Sequence, residues 1–225
     1  MTARITVDIV SDAICPWCFI GKRRFERALA QAPKDFEVLV GWRPYQLNPE
    51  MAPEGMDRKA YLAAKFGGDA KADRIYQSVR EAGAAEGIDF NFAGMKRTPN
   101  TIDAHRLIGV AERAGMQDAV VEGLFRAYFL DGRDIGDADT LAEIGAAGGL
   151  DAKVVRDYLG GRDDVERVEN EDGMARRMGI QGVPCFIFNR KYAISGAQEP
   201  AAFLEVLDLL RREAAAEAML ASASS

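Results

Sequence analysis

Near its start the chain alternates apolar and polar residues, with Ile5, Val7 and Ile9 set against Thr6 and Asp8, a period that predicts a strand. The period then becomes helical. Cys18, Gly21, Phe25, Ala28, Leu29 and Ala32 share one stripe, and the helix is expected to end near Pro33. Alternation returns at Phe36, Val38, Val40 and Trp42, giving a strand, helix, strand unit whose strands run parallel with a right-handed crossover. The stretch Arg43-Pro44-Tyr45-Gln46-Leu47-Asn48-Pro49, with Pro53 beyond it, cannot continue a central strand and marks a boundary. Helical spacing dominates from there, through Ile75 and Val79, Leu107, Ile108 and Ala111, Val121, Leu124, Phe125 and Tyr128, Leu141 and Ile144, and Val154, Val155 and Tyr158. Turns at Gly67-Gly68, Asp131-Gly132, Gly148-Gly149 and Gly160-Gly161 separate these segments. After one more helix, strand signals return at Val183 to Phe188 and Tyr192 to Ile194, and Pro200 opens a last helix carrying Phe203, Val206, Leu207 and Leu210 on one face. Two parallel strands and one hairpin cannot each form a stable sheet, so they are expected to join. This predicts a discontinuous α/β sheet domain from 1–48 and 164–213, an inserted all-helical domain at 49–163, and a flexible tail at 214–225.

Composition narrows the function classes. A net charge of −6 argues against nucleic acid as the main partner, and Lys22-Arg23-Arg24 reads as a solvated outer face of the first helix. No apolar segment approaches the ~20 residues that span a bilayer, and the apolar run before Cys15 is too short and too interrupted for a signal peptide. The expected address is the cytoplasm, where a cysteine pair rests as the dithiol. No internal repeat is present.

The chemistry sits in Cys15-Pro16-Trp17-Cys18, between the first strand and the first helix. Two thiols at this spacing face each other across one helical turn, and the unpaired N–H groups and dipole of the helix start favour a thiolate there. Cys15, expected at the exposed tip, is the attacking sulfur; Cys18, on the buried edge of the stripe, resolves. Pro16 at the first helical position loses no hydrogen bond. The same spacing supplies half of many zinc sites, but only Cys185 and His105 remain to complete one. Cys185 reads either as a small buried residue or as a third thiol that resolves a mixed disulfide, binds glutathione or completes a three-thiolate site with Cys15 and Cys18. His105 is an interdomain hydrogen-bonding residue or a proton acceptor facing Cys18. Asp8 is a buried proton acceptor or a solvated carboxylate. Asp12 is expected to fix the turn ahead of Cys15. Trp17 belongs to an apolar substrate surface or is exposed filler.

The order of elements, with Cys-Pro-Trp-Cys after the first strand and Gly182-Val183-Pro184 opening a late one, resembles the thioredoxin fold. The runs Ser11 to Lys22 (SDAICPWCFIGK), Thr98 to Leu107 (TPNTIDAHRL) and Ser195-Gly196-Ala197-Gln198 resemble the FrnE-type branch of the DsbA family over nearly the whole chain. The resemblance implies a thioredoxin-like core with an inserted helical domain, thiol-disulfide oxidoreductase or isomerase activity, and a cis proline facing the cysteines. Carried over, Cys15 is the attacking thiol, Cys18 its partner and Pro184 the cis proline. Val183 would then offer its backbone to an extended substrate, beside Pro16 and Trp17. Cys185 departs from the pattern, which usually has an apolar residue there. The implied partners are protein or small-molecule thiols and disulfides, glutathione among them, with no cofactor beyond the redox pair, no metal, no nucleic acid and no membrane, in a monomer or homodimer. Related 2-hydroxychromene-2-carboxylate isomerases and kappa-class glutathione transferases typically carry serine at the first motif position, against which Cys15 speaks. A non-catalytic chaperone or metal-binding protein is the remaining alternative.

Overall fold

A computed structural model describes residues 3–67 and 69–223. Strand β1 (Ala3–Ser11) is the centre of the sheet because Ile5, Val7 and Ile9 are buried and neighbours pair with both of its edges. Helix α1 (Pro16–Gln31) crosses over to β2 (Phe36–Pro44), which pairs parallel to β1 from Ala3 with Phe36 to Ser11 with Pro44. On the other edge β1 pairs antiparallel with β5 (Cys185–Phe188), and β5 with β6 (Tyr192–Ser195), giving the order β2-β1-β5-β6. Val10 lies opposite Cys185, so the loop leaving β1 and the loop entering β5 meet at the same end of the sheet.

Between β2 and β5 run β3 (Met56–Asp57), α2 (Arg58–Phe66), α3 (Asp69–Ala85), β4 (Arg97–Thr98), α4 (Ile102–Arg113), α5 (Gln117–Phe129), α6 (Ala138–Ala147), α7 (Ala152–Leu159) and α8 (Val165–Arg177). One core runs through both parts. Phe25 of α1 contacts Phe186, Phe188 and Phe203, the last on α9 (Pro200–Ala223), while Phe19 of α1 stacks on Phe125 of α5 at 5.2 Å between ring centres. No helix of the described residues is long and apolar enough to cross a membrane.

Four features depart from the sequence expectations. Arg43 and Pro44 do continue β2, because β2 is an edge strand where a missing N–H breaks no ladder. The open edge is met at Trp42 by Gln117, whose side-chain amide accepts from the Trp42 N–H at 2.9 Å and donates to its carbonyl at 3.1 Å. A short antiparallel ladder, β3 with β4, interrupts the helical insertion; its two-residue strands are too short to show a period. Lys22-Arg23-Arg24 is no solvated face. Lys22 is 3% exposed and pairs with Glu26, Asp118 and Glu122; Arg23 pairs with Glu26 and Glu122, and Arg24 with Glu86 and Glu199. The expected tail from Ala214 continues α9 as far as Ala223, in keeping with the high helix propensity of its alanines. Ser224 and Ser225 of that tail, and Gly68 of the Gly67-Gly68 turn, lie outside the described residues.

Gly21 is where α1 comes closest to the β5 loop. A Cβ there would sit 2.9 Å from Pro184 Cγ and 3.3 Å from Phe186 Cζ. In an open helix Gly→Ala stabilises by ~1 kcal/mol; Gly21→Ala is instead expected to destabilise, by ~1 kcal/mol or more, because a rigid proline ring must move. A denaturant midpoint at or above that of the wild type would contradict this.

Candidate active site

The site is assembled by the turn that ends β1. Asp12, wholly buried, holds this turn with both carboxylate oxygens: Oδ2 accepts the Leu47 N–H at 2.7 Å and Oδ1 the Ile14 N–H at 3.4 Å. Its carbonyl accepts the Cys15 N–H at 3.0 Å. Asp12 therefore fixes both the approach to α1 and the start of the segment after β2. His105, on α4, completes the clamp. Its Nε2 lies 3.1 Å from the Tyr45 carbonyl and 3.6 Å from Asp12 Oδ1. A carbonyl only accepts, so Nε2 carries the hydrogen and is not free to take a proton from sulfur.

Cys15 is the N-cap of α1, with φ −92° and ψ 112°, and its side chain caps no backbone amide. Sγ lies 3.5 Å from the carbonyl oxygen of Val183, to which the thiol donates. The Val183–Pro184 bond is cis. Cys18 follows one turn later, its N–H bonded to the Cys15 carbonyl at 3.0 Å. It is 0% exposed, and its thiol titrates well above the ordinary cysteine range. Burial is the main cause; the hydrogen bond to Cys15 and that residue's charge add to it, while Ser11 and the Asp12 backbone act in the opposite direction. Cys18 thus keeps its proton near neutral pH.

Cys15 itself is only 4% exposed, which corrects its placement at an exposed tip. It lines a cleft of about 280 Å³, to which the sheet domain and the loops beside it contribute Ile14, Pro16, Trp17, Leu47, Gly182 and Val183 as well. The insertion contributes Arg58, Tyr61, Lys65 and Phe66 of α2, Ile75, Tyr76 and Val79 of α3, and Phe92 and Phe129. Pro16, Trp17 and Val183 are therefore brought together with Cys15, and Trp17 is half-buried in the wall rather than projecting as filler.

Asp8 and Cys185 are not brought to the sulfurs. Asp8 Oδ1 accepts from Arg43 Nε at 2.7 Å, and Arg43 continues to Glu112 at 2.8 Å, so the carboxylate belongs to an ion-pair chain that runs from β1 across β2 to α4. Cys185 is buried among Val10, Tyr45 and Ala175, and burial pushes its thiol up. Its neighbour Phe186 packs on Phe25 of α1, so strand alternation turns Cys185 to the opposite face of the sheet. The three-thiolate site does not form, and among the described residues no three His, Cys, Asp or Glu side chains converge as metal ligands. The insertion's share of the cleft, Arg58 and Tyr76 above all, was not foreseen, since no motif marks it.

A family model described as a DSBA-like thioredoxin domain matches residues 6–208. The structure of a probable DsbA oxidoreductase from Streptomyces coelicolor is similar at TM-score 0.82 and 34% identity, covering 90% of this chain and 88% of that one. The Bacillus subtilis protein YwbO is 27% identical over 186 residues, 81% of this chain and 86% of its own length. The cytosolic disulfide reductase DsbM from Pseudomonas aeruginosa is alike in fold, at TM-score 0.66 and 17% identity, covering 92% of this chain and 98% of that one.

Proposed function

Since the chain belongs to the DSBA-like thioredoxin domain family, we propose that it exchanges disulfides through Cys15 and Cys18 by way of a mixed disulfide. The observation that carries this is the division of labour between the sulfurs: Cys15 faces a cleft, whereas Cys18 is sealed behind it and keeps its proton. With the pair reduced, the Cys15 sulfur attacks one sulfur of a bound disulfide. A new S–S bond forms as the substrate's breaks, and the leaving sulfur departs with the electron pair as a thiolate. Cys18 then gives up its proton to the departed thiolate or to water, attacks the Cys15 sulfur and releases the second thiolate. The protein dithiol has lost two electrons and the substrate has gained them; from the oxidised pair the steps run backwards. Val183, whose carbonyl points at Sγ, is positioned to hold the backbone of an extended substrate, with Pro16 and Trp17 forming the surface beside it.

The proposed substrates are protein or small-molecule disulfides in the cytoplasm, with glutathione as a co-substrate; the DsbM fold relative has a structure with glutathione. No further cofactor is required. Cys18→Ala tests the scheme, because it removes resolution and leaves attack intact. After incubation with a disulfide substrate, mass spectrometry is expected to find a stable adduct on Cys15. In the wild type, resolution is expected to quicken with pH beyond the ordinary thiol range, since burial holds the Cys18 proton. An absence of adduct on Cys15, together with a pair that never oxidises in glutathione buffers, would refute the proposal.

A further inference from the structure

Resting on this exchange chemistry, we infer that the insertion's side of the cleft is an anion subsite built on Arg58, and that the small disulfides exchanged at Cys15 bear a carboxylate. The argument begins with charge. In a chain of net charge −6, no Asp or Glu among the described residues lines the cleft, whereas Arg58 and Lys65 both do. Arg58 is 8% exposed and joins no ion pair among the described residues; its side chain donates to Thr98 Oγ1 at 2.9 Å and to the Tyr76 hydroxyl, both neutral. A guanidinium offers five N–H donors, of which these bonds use two. Among the described residues its positive charge faces the rings of Tyr61 and Tyr76, each 5.5 Å away.

Taking a cation out of water without a counter-charge is costly, and the cost falls when a bound anion supplies one. The fork of Arg58 suits a carboxylate, which it can bond in bidentate fashion. Lys65, exposed and bonded to neutral Asn48 Oδ1 at 3.0 Å, is a second cation that pairs with no carboxylate among the described residues. The rest of the lining around Cys15 is mostly aromatic and aliphatic, and a volume of about 280 Å³ fits a small molecule better than a folded partner. A small disulfide that carries an apolar group and a carboxylate matches that set of lining groups. The reaction is the one already balanced, with the protein dithiol as reductant.

The test is single-turnover reduction, by the full-length dithiol protein, of dithiobis(nitrobenzoate), a dianionic aromatic disulfide, and of dithiodipyridine, a neutral one. The ratio of the two rates is expected to fall roughly tenfold or more in Arg58→Met, as loss of a charge-assisted hydrogen bond implies, and to recover in part in Arg58→Lys. Added salt should slow the wild type with the anionic probe and leave the neutral probe unaffected. A ratio unchanged within about twofold in Arg58→Met and Lys65→Met, with equal salt response for both probes, would overturn the subsite while leaving disulfide exchange in place. If Arg58→Met does not fold, Lys65→Met, at an exposed position, and the wild-type salt series decide by the same criteria. Failure of the wild type to reduce either probe would overturn the exchange reading itself, and the subsite with it.

Discussion

Replacing Cys15 with serine is expected to reduce disulfide exchange to the uncatalysed background, a loss on the order of a thousandfold or more, because a hydroxyl oxygen neither ionises near neutrality nor forms an exchangeable bond to sulfur. No other thiol can take over. Cys18 is sealed and keeps its proton, and Cys185 lies on the opposite sheet face among Val10, Tyr45 and Ala175. The fold should hardly notice. Serine is nearly isosteric and can donate to the Val183 carbonyl as the thiol does, so stability is expected to stay within ~1 kcal/mol of the wild type. Thiol release from a chromogenic disulfide and a denaturant titration measure the two effects separately. Residual exchange above a tenth of the wild-type rate would remove Cys15 from the mechanism. Retained glutathione-dependent isomerisation in this variant would favour an isomerase of the same fold, and unchanged suppression of aggregation would favour a chaperone.

Phe19→Ala is expected to carry the largest stability loss. The ring follows Cys18 directly in sequence and is 1% exposed. It stacks on Phe125 at 5.2 Å and Phe129 at 6.3 Å, meets Phe90 edge-on at 6.2 Å, and is capped by the Arg23 guanidinium at 4.9 Å from the ring centre. Truncation leaves a cavity walled by rings that cannot all collapse into it, and such Phe→Ala changes cost ~3–5 kcal/mol. Against a total of ~5–15 kcal/mol for a folded domain, that is a large fraction. Phe19→Leu should restore more than half of the loss. Equilibrium unfolding in urea checks both; a loss under about 1 kcal/mol for alanine would mean that the aromatic cluster does not hold the insertion to α1.

Much of the scaffold was legible because burial imposes a period. Ile5, Val7 and Ile9 face one core and therefore alternate; Cys18, Gly21, Phe25 and Ala28 face the same core from a helix and recur at its turn. The cysteine pair was legible from spacing and position, while the cis bond at Pro184 came from family resemblance and is present in the structure. Long-range contacts left no such trace. Lys22 reads as a surface charge until Asp118 and Glu122 of α5 fold back against it. Asp8 reads as a proton acceptor or a solvated carboxylate until Arg43 of the neighbouring strand is seen to pair with it. Cys15 reads as exposed because the residues that share its cleft, on α2 and α3, lie far along the chain and show no pattern aimed at sulfur. Arg58 carries no signal at all in sequence, since what distinguishes it is that it pairs with no carboxylate among the described residues.

The Gln117 amide seated on Trp42 of β2 has a consequence for behaviour at high concentration. An unpaired strand margin invites another chain to extend the sheet, a common first step toward insoluble assemblies. At Trp42 an incoming strand would meet a side-chain amide already occupying the donor and acceptor it needs. Docking of α5 therefore also protects solubility, and loosening that helix would turn the margin into a sticky one.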